Sequence, residues 1–183
     1  MRIIGGRHKG RKLNTPKNNL IRPTSDKVRQ AIFNSLHSRG VVHDAHVLDG
    51  YCGTGALGIE ALSQGASFCT FLDKNPSSMK ICKDNITLID EQSRCNFIIT
   101  DTAKLKPYGQ DTKPASLIFL DPPYNKNLLE PTITTLINGN WLAEDAFFIL
   151  ETDKKENFNH PAINVLDEKK YGDTLIRYGL YQS

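Results

Sequence analysis

The run from His46 to Gly58, HVLDGYCGTGALG, constrains this chain more than any other stretch. It reads as a short apolar strand, an acidic residue at the strand's end, a glycine turn and the start of a helix. Open α/β sheets build nucleotide-type cofactor sites in this way, beyond the carboxyl ends of their strands. Asp49 stands at that end. Gly53 and Gly55 let the backbone turn tightly, and Gly58 lets the helix approach the strand. Gly53-Thr54-Gly55-Ala56-Leu57-Gly58 fits G-x-G-x-x-G, and Asp73 lies 20 residues past Gly53. Taken literally, that is the dinucleotide fingerprint. S-Adenosylmethionine sites use the same architecture without a pyrophosphate. A carboxylate at Asp49 would repel a pyrophosphate, yet it suits an ammonium group and a sulfonium. The turn alone leaves both cofactors open.

Strand and helix signals alternate around this turn. Strands are expected at 46–51, 68–73, 96–100, 115–120 and 146–152, and helices at 55–64, 75–90 and 127–138. A final strand pair at 162–168 and 174–181 closes the chain. Regular βα alternation followed by a hairpin gives an α/β, Rossmann-like sheet, mostly parallel with an antiparallel C-terminal strand. Asp73 ends the second strand, where a carboxylate accepts from ribose hydroxyls in either cofactor reading. Asp101 and Thr102 follow the third. An acid there often accepts from an adenine amine in methyltransferase-like sites. Met79, Ile81, Cys82, Ile86 and Ile89 are expected to form the buried face of the 75–90 helix.

Charge is unevenly spread. Residues 1–39 hold ten Lys/Arg and one acid, Asp26, whereas residues 40–183 hold 13 basic and 19 acidic residues. Such asymmetry points to a polyanion-binding arm on a more acidic body. Arg2, Arg7, Lys9, Arg11 and Lys12 lie in a Gly-rich stretch between Ile3-Ile4 and Leu13, which reads as a small basic hairpin or extended arm. Its cations would meet phosphates, which position a nucleic acid without reading its sequence. Arg22 is read as a further contact. Pro23 keeps Arg22 out of the helical region, and Thr24 or Ser25 can cap the helix that follows. Val28, Ala31, Ile32, Ser35 and Leu36 give that helix one apolar face, and Gly40 ends it. Residues 1–40 are therefore expected to form a basic arm and helix packed on a body of residues 41–183.

The chain's 183 residues suit one sizeable core, with 39% hydrophobic and 23% charged residues. No apolar run approaches the roughly 18 residues of a membrane span. MRIIGGRHKG has no apolar signal region, so a cytoplasmic protein is expected. Cysteines 52, 69, 82 and 95 form no C-x-x-C pair and read as reduced, mostly packed thiols. The histidines show no ligand spacing, and no metal is expected.

Asp121-Pro122-Pro123-Tyr124 follows the apolar strand ASLIFL, where an α/β sheet places its chemistry. An exocyclic amine on a base is a poor nucleophile, because its lone pair is delocalised into the ring. The Asp121 carboxylate and the Pro122 carbonyl can accept its two hydrogens and let the nitrogen pyramidalise. The prolines stiffen the turn and remove competing N–H donors. Asp121 can also take the leaving proton. Tyr124 offers a face for an extruded base. A nicotinamide enzyme has no use for this second motif, so the pair of motifs favours S-adenosylmethionine.

In this ordered set the sequence resembles the RsmD-type ribosomal RNA guanine-N2 methyltransferases. The likeness runs through R-I-I-G-G-R-x-x-G-R-K-L at Arg2–Leu13 and R-P-T-x-D-x-V-R-x-A-I-F-N at Arg22–Asn34. It continues through V-L-D-x-Y-x-G-T-G-A-L-G-I-E-A-L at Val47–Leu62, D-P-P-Y at Asp121–Tyr124 and Tyr171-Gly172-Asp173-Thr174. Gly50 and Cys52 depart from the larger apolar residue and alanine usual there, and Asp73 replaces what is often glutamate. The resemblance implies methyl transfer from S-adenosylmethionine to N2 of a guanine in 16S ribosomal RNA, in an assembled or assembling small subunit. Asp121, Pro122 and Tyr124 are then the catalytic residues. Asp49, Tyr51, Gly53, Gly55, Asp73, Asp101 and Thr102 hold the cofactor. Arg2, Arg7, Lys9, Arg11, Lys12, Arg22 and Thr24 hold RNA, and a monomer is expected. Two other readings stand beside it: a DNA adenine-N6 methyltransferase, because D-P-P-Y chemistry serves any exocyclic amine, and a non-catalytic ribosome-assembly factor that binds RNA.

Overall fold

Apolar residues facing both ways along short strands require cover on both faces of a sheet, and the helices supply it. The computed structural model describes residues 1–16, 25–107, 109 and 113–182. The chain runs through α1 (Asp26–Ser38), β1 (His46–Gly50), α2 (Ala56–Ser63), β2 (Phe68–Asp73), α3 (Pro76–Leu88), β3 (Cys95–Ile99), β4 (Ala115–Leu120), α4 (Leu129–Asn138) and β5 (Leu142–Asp153). It closes with β6 (Ile163–Tyr171) and β7 (Thr174–Tyr181). The sheet order is β3-β2-β1-β4-β5-β7-β6. The first five strands pair in parallel, and β7 runs antiparallel to both β5 and β6. The expected sheet, mostly parallel with an antiparallel C-terminal strand, is the one found.

Strand residues alternate between two cores. Val47, Leu117 and Phe119 pack with residues of α1, α2 and α3, while Leu48, Ile118 and Leu120 pack with Leu129, Ile133 and Leu136 of α4. Strand order reverses between β1 and β4, so the switch-point crevice opens beyond the carboxyl ends of those strands.

Gly50, at the end of β1, has a packing reason. A Cβ there would lie 2.6 Å from Leu120 Cδ2, its neighbour across the β1–β4 pair. Leu120 uses the room that a larger residue at position 50 would take.

Three sequence expectations need adjustment. On α1, Val28 and Ala31 are only partly covered, and the buried face is Arg29, Ile32, Phe33, Ser35 and Leu36. On α3, Ile81 is only partly covered, and Ser78 and Asn85 join Met79, Cys82 and Ile86 in the buried set. The strand expected at 146–152 already begins at Leu142, because Ala115 pairs with Leu142 ahead of a register shift. The polar residues Glu144 and Asp145 disguise this start.

The arm is a narrow hairpin, with Arg2 and Lys12 as an antiparallel bridge. Ile3 and Leu13 are buried in the same core as Ile32, Phe33 and Val47. Its turn lies flat on the C-terminal end of α2. A Cβ at Gly6 (φ +73°) would stand 1.8 Å from the Ser63 carbonyl oxygen, so only glycine fits.

Glu60 locks this contact. Its carboxylate, 1% exposed, accepts from Ile4 N at 2.9 Å and Gly5 N at 2.7 Å. Arg29, also buried, lies 3.5 Å from Glu60, bonds Asp26 at 3.0 Å and donates to the Arg2 carbonyl at 2.5 Å. Removing one member of such a buried pair typically costs about 3–5 kcal/mol.

Candidate active site

Four adjacent parallel strands each deliver a carboxylate to the same end of the sheet. Asp49 lies on β1, Asp73 ends β2, Asp101 follows β3 and Asp121 follows β4 directly. Their roles differ in detail.

Asp73 braces the glycine turn. Its Oδ2 accepts from Gly53 N at 2.9 Å and its Oδ1 from Asn75 N at 2.8 Å. Gly53 and Gly55 both have positive φ, +55° and +78°, the region glycine enters without strain. A Cβ on Gly53 would meet nothing within 4 Å, so the turn faces open space. A Cβ on Gly55 would lie 2.5 Å from Cys82 Sγ. At Gly58 it would lie 2.4 Å from the Phe71 ring, the close helix–strand approach that the spacing implied.

Asp49 is more deeply placed than the sequence suggested. It is 3% exposed, and its Oδ2 accepts from Gly58 N at 2.9 Å, capping the first turn of α2. Burial pushes its carboxyl up to about 7, against the Gly58 hydrogen bond and with a further push from Asp73.

Tyr51 stands beside the glycine turn. Its backbone is left-handed (φ +62°), and its hydroxyl bonds Thr132 Oγ1 on α4 at 2.6 Å. The hydroxyl thereby ties the start of the turn to α4. Asp101 Oδ1 accepts from Ala103 N at 3.2 Å, capping the short turn Thr102–Lys104. Thr102 Oγ1 is buried and has no hydrogen-bond partner among the described residues. The Cys52 thiol is pushed up by the Cys82 thiol and by burial, which makes it a packed group rather than a reactive one.

The D-P-P-Y turn completes the crevice. Among the described residues no hydrogen bond reaches the Asp121 carboxylate, so its acceptor sites stay available. Burial pushes this carboxyl well above the usual carboxylate range, and Glu151 and Asp49 add to the push. The Tyr124 hydroxyl donates to Glu151 Oε1 at 3.0 Å and lies 2.9 Å from Thr174 Oγ1. Thr174 is the last residue of the Tyr171–Thr174 motif, which therefore serves as an anchor for the turn. Beyond Tyr124, Asn125 and Phe158 line a cavity of about 570 Å³ with Glu130 and Lys155.

The cations of the arm divide. Arg2, Lys9, Arg11 and Lys12 are exposed. Arg7, half-exposed at 51%, pairs with buried Glu91 at 3.1 Å, where His8 and Arg94 also bond. The hairpin tip thus sits at the end of α2 away from Asp121, and the strand after it runs back toward the glycine turn. Arg22 and Thr24, expected to contact RNA, lie outside the described residues.

Glu60, Asn85, Glu151 and Thr174 are not marked as site residues by the sequence alone. Buried acids and amides carry no periodic signal of their own. Arg29 has one: with Ile32, Phe33 and Leu36 it completes an i, i+3, i+4, i+7 stripe.

A sheet in this order with β7 reversed, a glycine turn after β1 and D-P-P-Y after β4 define a methyltransferase-type α/β protein. More narrowly, the chain belongs to the family of the ribosomal RNA small subunit methyltransferases D. The family described as conserved hypothetical protein 95 matches residues 1–180. The ribosomal RNA small subunit methyltransferase D of Escherichia coli is 35% identical over 183 residues, covering 100% of this chain and 89% of that one. A solved Escherichia coli structure, provisionally assigned as a methyltransferase, superposes with a TM-score of 0.85 at 31% identity, over 100% of this chain and 98% of its own. An RNA methyltransferase from Salinibacter ruber, solved with S-adenosyl-L-homocysteine, shares the fold at a TM-score of 0.66 and 15% identity, over 88% and 95% of the two chains.

Proposed function

We propose that this chain transfers a methyl group from S-adenosylmethionine to the exocyclic N2 amine of a guanine in 16S ribosomal RNA of the small subunit. The observation that carries the chemistry is Asp121: a carboxylate at the end of β4 that no described donor occupies, beside a tyrosine pinned by its hydroxyl. The substrate reading is supported by the relatives of about 35% identity, whose name assigns them to the small-subunit RNA.

The residues at the crevice fit this cofactor better than a dinucleotide. Four carboxylates on neighbouring strand ends repel a pyrophosphate and attract an ammonium and a sulfonium. Asp49 and Asp121 both hold protons too tightly in the absence of such a cation, and a positive ligand relieves this. The orphaned Thr102 hydroxyl and the open space over Gly53 leave polar and steric room for it. Asp73, with one lone pair of each oxygen still open, would receive ribose hydroxyls. Asp101 would face the adenine amine. The cofactor, when bound, supplies a methyl group made electrophilic by its sulfonium.

The chain's own residues supply orientation and proton transfer. The Asp121 carboxylate and Pro122 carbonyl accept the two amine hydrogens and aim the nitrogen lone pair out of the ring plane. Asp121 then takes one of those protons. Tyr124, held by Glu151 and Thr174, offers its ring to the extruded base at little cost in side-chain entropy. Arg2, Lys9, Arg11 and Lys12, with Arg22 and Thr24, would hold the RNA backbone. Arg7 would contribute less while paired with Glu91. Residues 1–40 act in this reading as the RNA-holding part and residues 41–183 as the catalytic part of a monomeric, cytoplasmic enzyme.

The test is transfer of labelled methyl to deproteinised 16S RNA, to unmethylated small subunits and to duplex DNA, followed by nucleoside analysis. N2-methylguanosine from RNA or subunits is the expected product. Label in DNA adenine alone would overturn the substrate. Bound cofactor with no transfer to any of the three would favour an RNA-binding assembly factor.

A further inference from the structure

Asn85 is a fully buried amide on α3, 0% exposed, and it joins two parts of the chain that are distant in sequence. Its Oδ1 accepts from Asn14 N at 2.7 Å, and its Nδ2 donates to the Asn14 carbonyl at 3.2 Å. The side chain thereby pairs with the arm's backbone as a neighbouring strand would. The second Nδ2 hydrogen goes to the carbonyl of Thr54 at 3.0 Å, in the middle of the Gly53-Thr54-Gly55 turn.

Each of these bonds depends on the others' partners staying in place. A buried amide donor without a partner is costly, so a shift of the turn strands Nδ2, and a shift of the arm strands Oδ1 and Nδ2. The turn is gripped on both sides, by Asp73 at Gly53 N and by Asn85 at Thr54 O. The arm is gripped at both ends, by Glu60 and Ser63 near its tip and by Asn85 at Asn14. The exposed cations Arg11 and Lys12 immediately precede that second grip. One side chain thus holds the arm and the glycine turn at once.

We infer that Asn85 is a positioning residue that couples the cofactor turn to the basic arm. A ligand that settles in the turn fixes the Thr54 carbonyl, which fixes the Asn85 amide, which holds Asn14. The coupling is reciprocal: RNA held by the arm tightens the turn by the same factor. The RNA half of this statement rests on the proposed function; the hold on Asn14 rests only on a ligand in the turn. A coupling of about fivefold or more is expected, the lower end of the usual range.

Hydrogen exchange of single amides in the full chain tests it, with and without saturating S-adenosylhomocysteine, whose binding is followed by calorimetry. The Asn14 N–H is expected to exchange slower by a factor of about five or more when the ligand is bound. The Arg7 N–H, bonded to Ser63 O at the far end of the arm, is the internal control and should not change. In Asn85→Leu the Asn14 response should vanish while the ligand still binds. Should that variant not fold, Asn14→Pro removes the donor from the exposed arm and leaves α3 intact. Its readout is the ratio of single-stranded RNA affinities with and without S-adenosylhomocysteine, about five in the unaltered chain and near one in the variant. Ligand binding without a change at Asn14, or an unaltered ratio in the variants, overturns the coupling. S-Adenosylhomocysteine that does not bind removes the cofactor reading and the coupling with it. RNA that does not bind, with Asn14 still responding, removes the RNA reading and supports the coupling.

Discussion

The Tyr124 hydroxyl donates to Glu151 Oε1 at 3.0 Å, which ties the turn after β4 to the carboxyl end of β5. Glu151 is 6% exposed, and the same carboxylate pushes the neighbouring Asp121 carboxyl upward. One buried acid therefore holds the ring in place and adds to the push that burial exerts on the Asp121 carboxyl.

Glu151→Gln separates these effects. Glutamine still accepts from Tyr124 but removes the like charge beside Asp121. A carboxyl with a raised pKa becomes a base only above that pKa, so activity climbs with pH through it. Losing the charge lowers it, and the acidic limb of kcat/KM should move to lower pH. A limb that stays in place or moves upward would contradict the assignment of that limb to Asp121.

Tyr124 should show a graded response. Tyr124→Phe keeps the stacking face and removes one hydrogen bond each from Thr174 and Glu151, at a stability cost of about 1 kcal/mol. Transfer should fall no more than roughly tenfold. Tyr124→Ala removes the face as well, and base stacking of about 1–3 kcal/mol should appear as a raised KM for RNA. Equal effects of the two variants on KM would argue against stacking.

Asp49 makes the ligand-free protein pH-sensitive. Its folded pKa of about 7 lies above the ordinary value of 3.8, so between those values the folded state holds a proton that the unfolded state has lost. Stability from this group is present below about pH 4 and is lost as pH rises toward about 7, by an amount on the order of 4 kcal/mol. Asp49→Asn retains an acceptor for Gly58 N–H and cannot ionise. Ligand-free, it should melt higher than the unaltered chain at about pH 8 and nearly alike at about pH 4, yet bind S-adenosylmethionine more weakly. Melting curves at the two pH values decide this; a lower Tm under the alkaline condition would count against the raised carboxyl.

The arm's cations should be unequal. Removing one phosphate-binding cation lowers the slope of log K against log salt by about 0.7 for single-stranded nucleic acid. Lys9→Ala or Lys12→Ala should each show that change in RNA binding. Arg7→Ala should show less, because its charge is already shared with Glu91. Equal slopes for all three would mean that the Glu91 pair opens on RNA.

Much of this architecture is legible in the sequence because it follows local rules. The run His46–Gly58 carries its strand, turn and helix in consecutive residues, and Asp121 announces itself between an apolar strand and two prolines. What stays hidden is the long-range satisfaction of buried polar groups. Glu60 meets the arm across 56 residues, Asn85 meets Asn14 across 71, and Tyr124 meets Thr174 across 50. Tyr51 sits beside the glycines, and its hydroxyl goes to Thr132, a partner that no spacing rule supplies. The basic arm is legible as charge, but its flat seating on Ser63 follows from a helix end that only the folded chain presents.

The proposed reaction turns on Asp121 as acceptor and base for the target amine. Single-turnover methyl transfer by Asp121→Asn, with S-adenosylhomocysteine affinity measured alongside, is the deciding measurement. Asparagine keeps the shape and one acceptor but takes up no proton. The transfer step should slow by about 10²–10⁴-fold, with cofactor affinity within a few-fold. Transfer at the unaltered rate would contradict this role and move the chemistry to another residue.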